Sequence, residues 1–528
     1  MKIKRVLLPI GAFVLFGMSA GLMAKTINGS KEIKQAKADT ADVTISTDAE
    51  FASFISAVNG GTRYDNELIQ LAADVSYEIT VKPTAEDPWS IFAGTFDGLN
   101  HTISVSVNMT KTCPSLFRNI GNSDFKDAVF KNTNINYSIT NSIASGSIYA
   151  APVATYNNGL IQNVHSTISI NAQDLSYIGG IVEKNQSTGI IENCSANGSI
   201  KGKAYIGGIS AENLGIIRNC ENNCALSNVS GAYVGGITAI NGTSSFNKGK
   251  IISCINNANI SSTGTDLGGI SGFLYSNAEI SYCSNYGTIV STSTTSKIGY
   301  GGIVGRINGS DSNADHVTKV EYCYNGADLN TMRNTGGVIG MINSDAKPSV
   351  QVNGCFTTGK VEVATQYGGT LIGWSNSNNL SLNDTYAAGA KAGVTTLGIG
   401  GGSALSTATS VADGVSDDFR AIIKAIREFN CVAISGFGTL YGGLDDGEKA
   451  LLNTINYYDE LNTYAMKTYG QAAEYIIGDQ THGARISLLD LNNINNNYWA
   501  VIVVISMFVL STAAMVFVIR RKKYVASK

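Results

Sequence analysis

The sequence predicts a mainly β protein, a right-handed parallel β-helix set between an export signal and one C-terminal transmembrane helix. Three observations predict it. Glycine is abundant and proline scarce, 58 against 6 in 528 residues, which suits many short strands joined by tight turns. A short phrase returns along the middle of the chain at a loose period near thirty residues, as in a solenoid. The repeats carry β-branched residues between Gly and Asn, with no apolar stripe of helical length, so the repeating unit is built of strands.

The N-terminus opens with the basic run Met1 to Arg5 and an apolar run from Val6 to Ala20, with small residues at Ser19, Gly21 and Ala24. This is the layout of a secretory signal, assigned to 1–24. Residues 25–44 are polar and read as a flexible leader. The repeat region is assigned to 45–390. At its start, Thr47 and Glu50 form a capping box, followed at helical spacing by Phe51, Phe54, Ile55 and Val58. This predicts an amphipathic helix that plugs the first coil.

The repeats are explicit. Tyr177-Ile-Gly-Gly-Ile leads to Gly-Ile-Ile-Glu-Asn-Cys194, and Tyr205-Ile-Gly-Gly-Ile leads to Gly-Ile-Ile-Arg-Asn-Cys220. Tyr233-Val-Gly-Gly, Leu267-Gly-Gly, Tyr300-Gly-Gly and Thr335-Gly-Gly lead in the same way to Cys254, Cys283, Cys323 and Cys355. The six cysteines lie 26 to 40 residues apart; stacked strands with turns of variable length predict this elasticity. Val164 stands at the same repeat position as the cysteines. That equivalence predicts an inward ladder, Val164, Cys194, Cys220, Cys254, Cys283, Cys323 and Cys355, with each thiol acting as a small apolar group. The tightest cysteine pair, Cys220 and Cys224, has no histidine partner, so no metal or other cofactor is expected. The Gly-Gly pairs are read as corners where stacked backbones approach. No Lys-Ser/Thr follows them as a phosphate loop would require.

Residues Ile91 to Ile103 read Ile-Phe-Ala-Gly-Thr-Phe-Asp-Gly-Leu-Asn-His-Thr-Ile, and Ser115 to Ile120 read Ser-Leu-Phe-Arg-Asn-Ile. Together with the Gly-Gly-Ile and Asn-Cys units of 177–373, they resemble the opening and repeats of GLUG-motif proteins of bacterial cell surfaces, among them adhesins and immunoglobulin A-directed metallopeptidases. The resemblance implies a β-helix displayed at the surface. The peptidase branch carries a His-Glu-x-x-His motif, whereas the four histidines here, 101, 165, 316 and 482, are isolated. The resemblance therefore implies the architecture and not the peptidase.

Beyond 390 the pattern changes. A Gly/Ser/Thr-rich stretch reads as a linker over 391–413. Ser416 is placed to cap a helix bearing Phe419, Ile422, Ile423, Ile426 and Phe429, and a second helical pattern begins at Glu448; both fall in a helical juxtamembrane domain assigned to 414–490. From 498 to 519 no charge occurs, and Arg520, Arg521, Lys522 and Lys523 follow. This predicts a membrane-spanning helix with a cytoplasmic tail, 520–528, and the rest of the chain outside.

With 37 basic and 40 acidic residues, the chain offers no field to attract nucleic acid. The leading expectation is a surface-anchored, adhesin-like binding protein, without catalysis, that contacts host or neighbouring-cell glycans or proteins. Tyr177, Tyr205, Tyr233 and Tyr300, each just before Gly-Gly, are the candidate contact residues; turn packing is the alternative reading of that row. A passive stalk or coat remains open. So does a polysaccharide lyase or hydrolase, for which Asp97, Asp266, Asp311 and Asp315 are scattered candidate acids.

Overall fold

The computed structural model describes residues 40–449 except 81–89, 109–114, 140–148, 229–230, 245–247, 294–297, 309–312, 314, 344–348, 378, 384, 403–409, 412–413 and 422–442. The expected signal, most of the leader, the span at 498–519 and its basic tail lie outside these residues. Among the described residues, no helix is long and apolar enough to cross a membrane.

Strands wind around one hydrophobic core as a parallel β-solenoid. Among the described residues, one face is a ten-stranded sheet, and 33 further strands form the other faces. The coil that begins at Tyr177 shows the plan. Its four strands are Tyr177–Gly179, Val182–Asn185, Ile190–Glu192 and Ser195–Gly202. Each pairs in parallel with its counterpart one coil later: Tyr177 with Tyr205, Val182 with Ser210, Ile190 with Ile216 and Ser195 with Glu221. Side chains alternate across each strand. Ile178, Ile206, Val234, Ile191, Ile217 and Ile251 therefore turn inward and are buried.

Two corners explain the repeated phrase. At the first, a Cβ on Gly207 would collide with the Ser210 carbonyl, and one on Gly208 with the Asn222 side chain; only glycine leaves the chain room to turn there. At the second, the residue before each ladder position sits in the left-handed region: Asn163, Asn193, Asn219, Ser253, Tyr282, Tyr322 and Gly354 have φ between 52° and 59°. Asn is the non-glycine residue that tolerates this conformation best, and it precedes Val164, Cys194 and Cys220.

The ladder residues stack in order and are buried. The six cysteines are free thiols, and burial pushes those of Cys194, Cys254 and Cys283 well up, so they stay protonated. They do more than fill space. Cys194, Cys220, Cys254, Cys283 and Cys323 each donate to the carbonyl two residues back, at 3.2–3.4 Å. Thr133 and Thr385 occupy the same position and make the same bond, at 2.8 and 2.9 Å. The position thus takes small side chains, most of them with a hydrogen to donate, and Val164 fills it as an apolar group alone.

Two buried asparagine ladders were not expected. Asn157, Asn185, Asn213 and Asn241 each pass an amide hydrogen to the next at 2.8 Å. Asn222, Asn256, Asn285 and Asn325 do the same at 2.7–2.9 Å. Stacking identical amides satisfies donors and acceptors that burial would otherwise leave unpaired.

The helix Asp48–Asn59 closes the first coil, with Thr47 and Glu50 forming the reciprocal cap. Phe54 packs 5.8–6.1 Å from the rings of Phe92, Phe96 and Phe117. The boundaries of the stack differ from the expectation at both ends. Val43–Ile45 pairs with Leu68–Leu71, so residues 43 and 44 belong to the stack and not to a leader. Lys391–Thr396 pairs with Val361–Gly369, and Ser410–Val411 with Tyr386–Ala387. Strands thus continue into the stretch expected as a linker, because small residues suffice where a preceding coil supplies the register. Ser416 accepts the Phe419 amide at 3.2 Å. Phe419 is buried, its ring 6.0 Å from that of Phe356, so this first helical turn packs on the solenoid.

Candidate ligand-binding face

The row of tyrosines is the outward side of the strand that precedes the Gly-Gly corner. Tyr149, Tyr177 and Tyr205 are in register, and Tyr233 follows them through the pairing of Ile206 with Val234. All four are half-buried. The Tyr177 and Tyr205 rings stack at 4.3 Å and 16°. Tyr149 and Tyr233 flank that pair at 5.3 Å each. Beyond them, Tyr233 stacks on Phe273 at 4.6 Å, and Phe273 meets Tyr275 at 4.8 Å. Burial, reinforced by Tyr205 and Glu212, pushes the Tyr177 phenol up, so it is a hydrogen-bond donor at neutral pH.

Tyr300 is not part of this row. It pairs with Leu267 and so occupies the inward column of Ile178, Ile206 and Val234. It is 0% exposed, with its hydroxyl accepting from Ser291 at 3.0 Å. Aligning the repeats on Gly-Gly hides a one-residue slip: Ile178 separates Tyr177 from its glycines, whereas nothing separates Tyr300 from Gly301. A slip of one residue sends a side chain to the other face. The outward position in that region is held instead by Asp266, paired with Tyr233.

A second wall faces the tyrosines across the corner. Its outward column runs Tyr156, Lys184, Glu212, Ile240, Phe273 and Arg306. Lys184 and Glu212 form an ion pair at 2.6 Å. The Arg118 guanidinium lies 5.1 Å from the Tyr156 ring centre. Arg306 bonds Asp266 at 2.9 Å and lies 4.9 Å from the Phe273 ring centre. The walls thus combine aromatic surface with paired charges.

Between the walls runs a seam. Its column, one residue before the outward one, reads Arg118, Thr155, Glu183, Ala211, Ala239, Gly272, Gly305 and Gly340. A Cβ on Gly272 would press on the backbone of Val234, one on Gly305 on that of Leu267, and one on Gly340 on that of Tyr300. The seam is therefore closed by backbone contact in later coils and holds full side chains only in the earlier ones. Glu183 is 1% exposed, and its Oε2 has no hydrogen-bond partner. Burial, with Glu212 nearby, holds its carboxyl well above the usual range, while Lys184 and Arg118 pull the other way.

The expected acids do not converge. Asp97 lies in the strand Thr95–Asp97 and bonds Lys131 and Asn132 at 3.3 and 3.0 Å, bracing a corner. Asp266 is committed to Arg306, Asp315 is exposed, and Asp311 lies outside the described residues. Among the described residues, no group of three or more His, Cys, Asp or Glu is placed to hold a metal ion. Sequence reading missed Tyr149, Phe273, Lys184, Glu212 and Glu183. Tyr149 had a signal, since 149, 177, 205 and 233 are evenly spaced; the others depend on which corner each strand faces.

No protein-family model matches the chain, and no curated protein matches it. Among solved structures, it is similar to a candidate immunoglobulin A1 protease from Bacteroides ovatus. The two share 16% identity over 74% of this chain and 86% of that one, at a TM-score of 0.30. A superposition this loose carries nothing about activity.

Proposed function

We propose that this chain is an exported, surface-anchored β-solenoid that works by binding, adhesin-like, and contacts glycans or extracellular proteins along its tyrosine face. The observation that carries the reading is the half-buried aromatic row Tyr149, Tyr177, Tyr205 and Tyr233, set on the outside of a scaffold whose own core is already filled. Tyrosine supplies an apolar ring and a polar tip at little entropic cost, which suits contact with glycans and proteins alike. The GLUG-type resemblance of residues 45–390 supports surface display. The apolar stretch 498–519 and the basic cluster Arg520 to Lys523 support a membrane anchor with the solenoid outside.

The test uses the full chain in detergent, labelled and applied to an array of glycans and matrix proteins. Specific binding by the wild type is expected, with loss in the triple variant Tyr177→Ala, Tyr205→Ala, Tyr233→Ala. Equal binding by the variant, or no binding by either, would reject the reading. Labelling of intact cells with a membrane-impermeant reagent checks the topology: lysines of the repeats should react and Lys522 and Lys523 should not.

A further inference from the structure

The long strands of the early coils carry an outer surface that neither the core nor the corners explain. Thr102–Val107, Val129–Ile139, Leu160–Asn171, Ser195–Gly202 and Glu221–Asn228 lie side by side in register. Two outward columns cross them. One reads Ser104, Asn136, Thr167, Asn197 and Asn223; the other, two residues on, reads Ser106, Ser138, Ser169, Ser199 and Ala225. All of these are exposed or half-buried, and none is charged or larger than asparagine. Val105, Tyr137, Ile168 and Cys224, which alternate with them, are buried and supply the packing. Strand preference does not account for the choice: asparagine is depleted in strands, and of these residues only Thr167 is of a kind that strands favour. Ordinary surface composition does not account for it either, since roughly a quarter or more of surface positions are charged. Charge returns only at the borders, with His165 and Glu221 before the first column and Lys201 after the second. Beyond Asn228 the strands shorten to Ile255–Asn256 and Ile260–Ser262.

We propose that this array is a second binding surface, for an extended, neutral polysaccharide laid along the solenoid axis. It goes beyond the tyrosine face proposed above and lies on other strands. Charge selects the class of ligand. A surface without charge gains nothing from an anionic or cationic polymer, whereas hydroxyls and amides both donate and accept, as sugar hydroxyls do. A protein partner is disfavoured, because the centres of protein interfaces are rich in aromatic side chains and poor in serine. Spacing selects the form. Neighbours within a column repeat about every 4.8 Å, a step comparable to one sugar unit of an extended chain, so successive units meet equivalent side chains. With no pocket, each contact is weak, because its hydrogen bond replaces one to water. Only a ligand that touches several coils at once is held. Short glycans therefore report on the tyrosines, and long ones on this array.

The experiment titrates the full chain in detergent with neutral β-linked oligosaccharides of increasing length, with a polyuronate and with polylysine. Affinity should rise with each added sugar until the chain spans the array and then level off, and both charged polymers should bind more weakly. The variant Ser138→Val, Ser169→Val, Ser199→Val removes three adjacent hydroxyls and improves strand preference. It should bind the longest oligosaccharide at least about tenfold more weakly, with Tm unchanged or raised. The triple tyrosine variant should bind that oligosaccharide as the wild type does. Affinity independent of length would overturn the proposal, as would tighter binding of either charged polymer or undiminished binding by the valine variant. A fall in Tm of the valine variant would mark the serines as structural and overturn it too. Long-chain binding that needs the tyrosines and not the serines would end this inference and leave the broader reading standing. Failure of the wild type to bind any length would end it as well, while the broader reading would still be decided by short glycans and matrix proteins.

Discussion

Between Tyr149 and Asn241 the solenoid keeps polar residues at positions that turn apolar or shrink between Asp266 and Gly373. Along the inner side of the second strand, Asn157, Asn185, Asn213 and Asn241 give way to Leu274, Ile307 and Ile342. In the seam, Thr155 and Glu183 give way to alanine and then glycine. On the outside, the tyrosine row stops at Tyr233, and in the later half a tyrosine, Tyr300, fills the core instead. The parallel stacking and the Gly-Gly corner persist in both halves. A parallel solenoid therefore fixes the register and the corners, and leaves each column free to change its chemistry from coil to coil.

The comparison can be broken most sharply at the tyrosines. Tyr300→Ala empties a fully buried site and should cost about 3–5 kcal/mol, whereas Tyr205→Ala, on the half-buried outer row, should cost roughly 1 kcal/mol. Urea unfolding of the two variants measures the gap, and equal costs would mean that the two tyrosines are equivalent after all. Next in size is the amide ladder. Asn213→Ala leaves the Asn241 oxygen without its donor in the core, at about 1–3 kcal/mol, while the Asn185 amide keeps the Gly189 and Ile216 carbonyls. The corresponding change in the later half, Ile307→Val, removes one methylene and should cost about 0.5–1.5 kcal/mol. A smaller loss at Asn213 than at Ile307 would show that water reaches the ladder. The seam gives the third contrast: Gly340→Ala forces a methyl against the Tyr300 backbone and should cost about 1–3 kcal/mol, while Glu183→Ala should stabilise.

These contrasts also show what could be read in the sequence. The β-solenoid, the capping helix at Asp48–Asn59 and the glycine corners follow from periodicity and local chemistry, because each repeats or is confined to a few neighbouring residues. The row Tyr177, Tyr205, Tyr233 was visible for the same reason. Tyr300 was misassigned because Gly-Gly is a corner and not a ruler: one missing residue before it flips the side chain inward. The asparagine ladders escaped because an asparagine in a Gly-rich chain looks like a turn residue, and only the stack shows that it meets another asparagine one coil away. Glu183 escaped because nothing local distinguishes a seam position from a solvent-facing one. The ends of the stack escaped because strands built from residues such as Thr395 and Gly393 have no pattern of their own and borrow register from Val361–Gly369.

The smallest effect lies at the junction of the two halves, where Asp266 succeeds Tyr233 in the outward column. Its carboxylate accepts from the Gly299 amide at 2.8 Å and from Arg306 at 2.9 Å. Burial outweighs both and raises its pKa to about 7, against 3.8 for the free side chain. The folded state therefore holds the Asp266 proton more tightly than the unfolded chain does. Its contribution to stability is full below about pH 4 and is lost as pH rises toward and through 7, with a slope no steeper than about 1.4 kcal/mol per pH unit for one proton. Glu183, raised in the same direction, adds to the slope of the wild type, so the informative quantity is a difference between proteins. Asp266→Asn should remove part of the decline, narrowing the loss between pH 6 and 7.5 by roughly 1 kcal/mol. Urea midpoints across that range decide it. If Asp266→Asn and the wild type decline in parallel, Asp266 stays ionised beside Arg306 throughout, and the junction is held by a charge pair rather than by a shared proton.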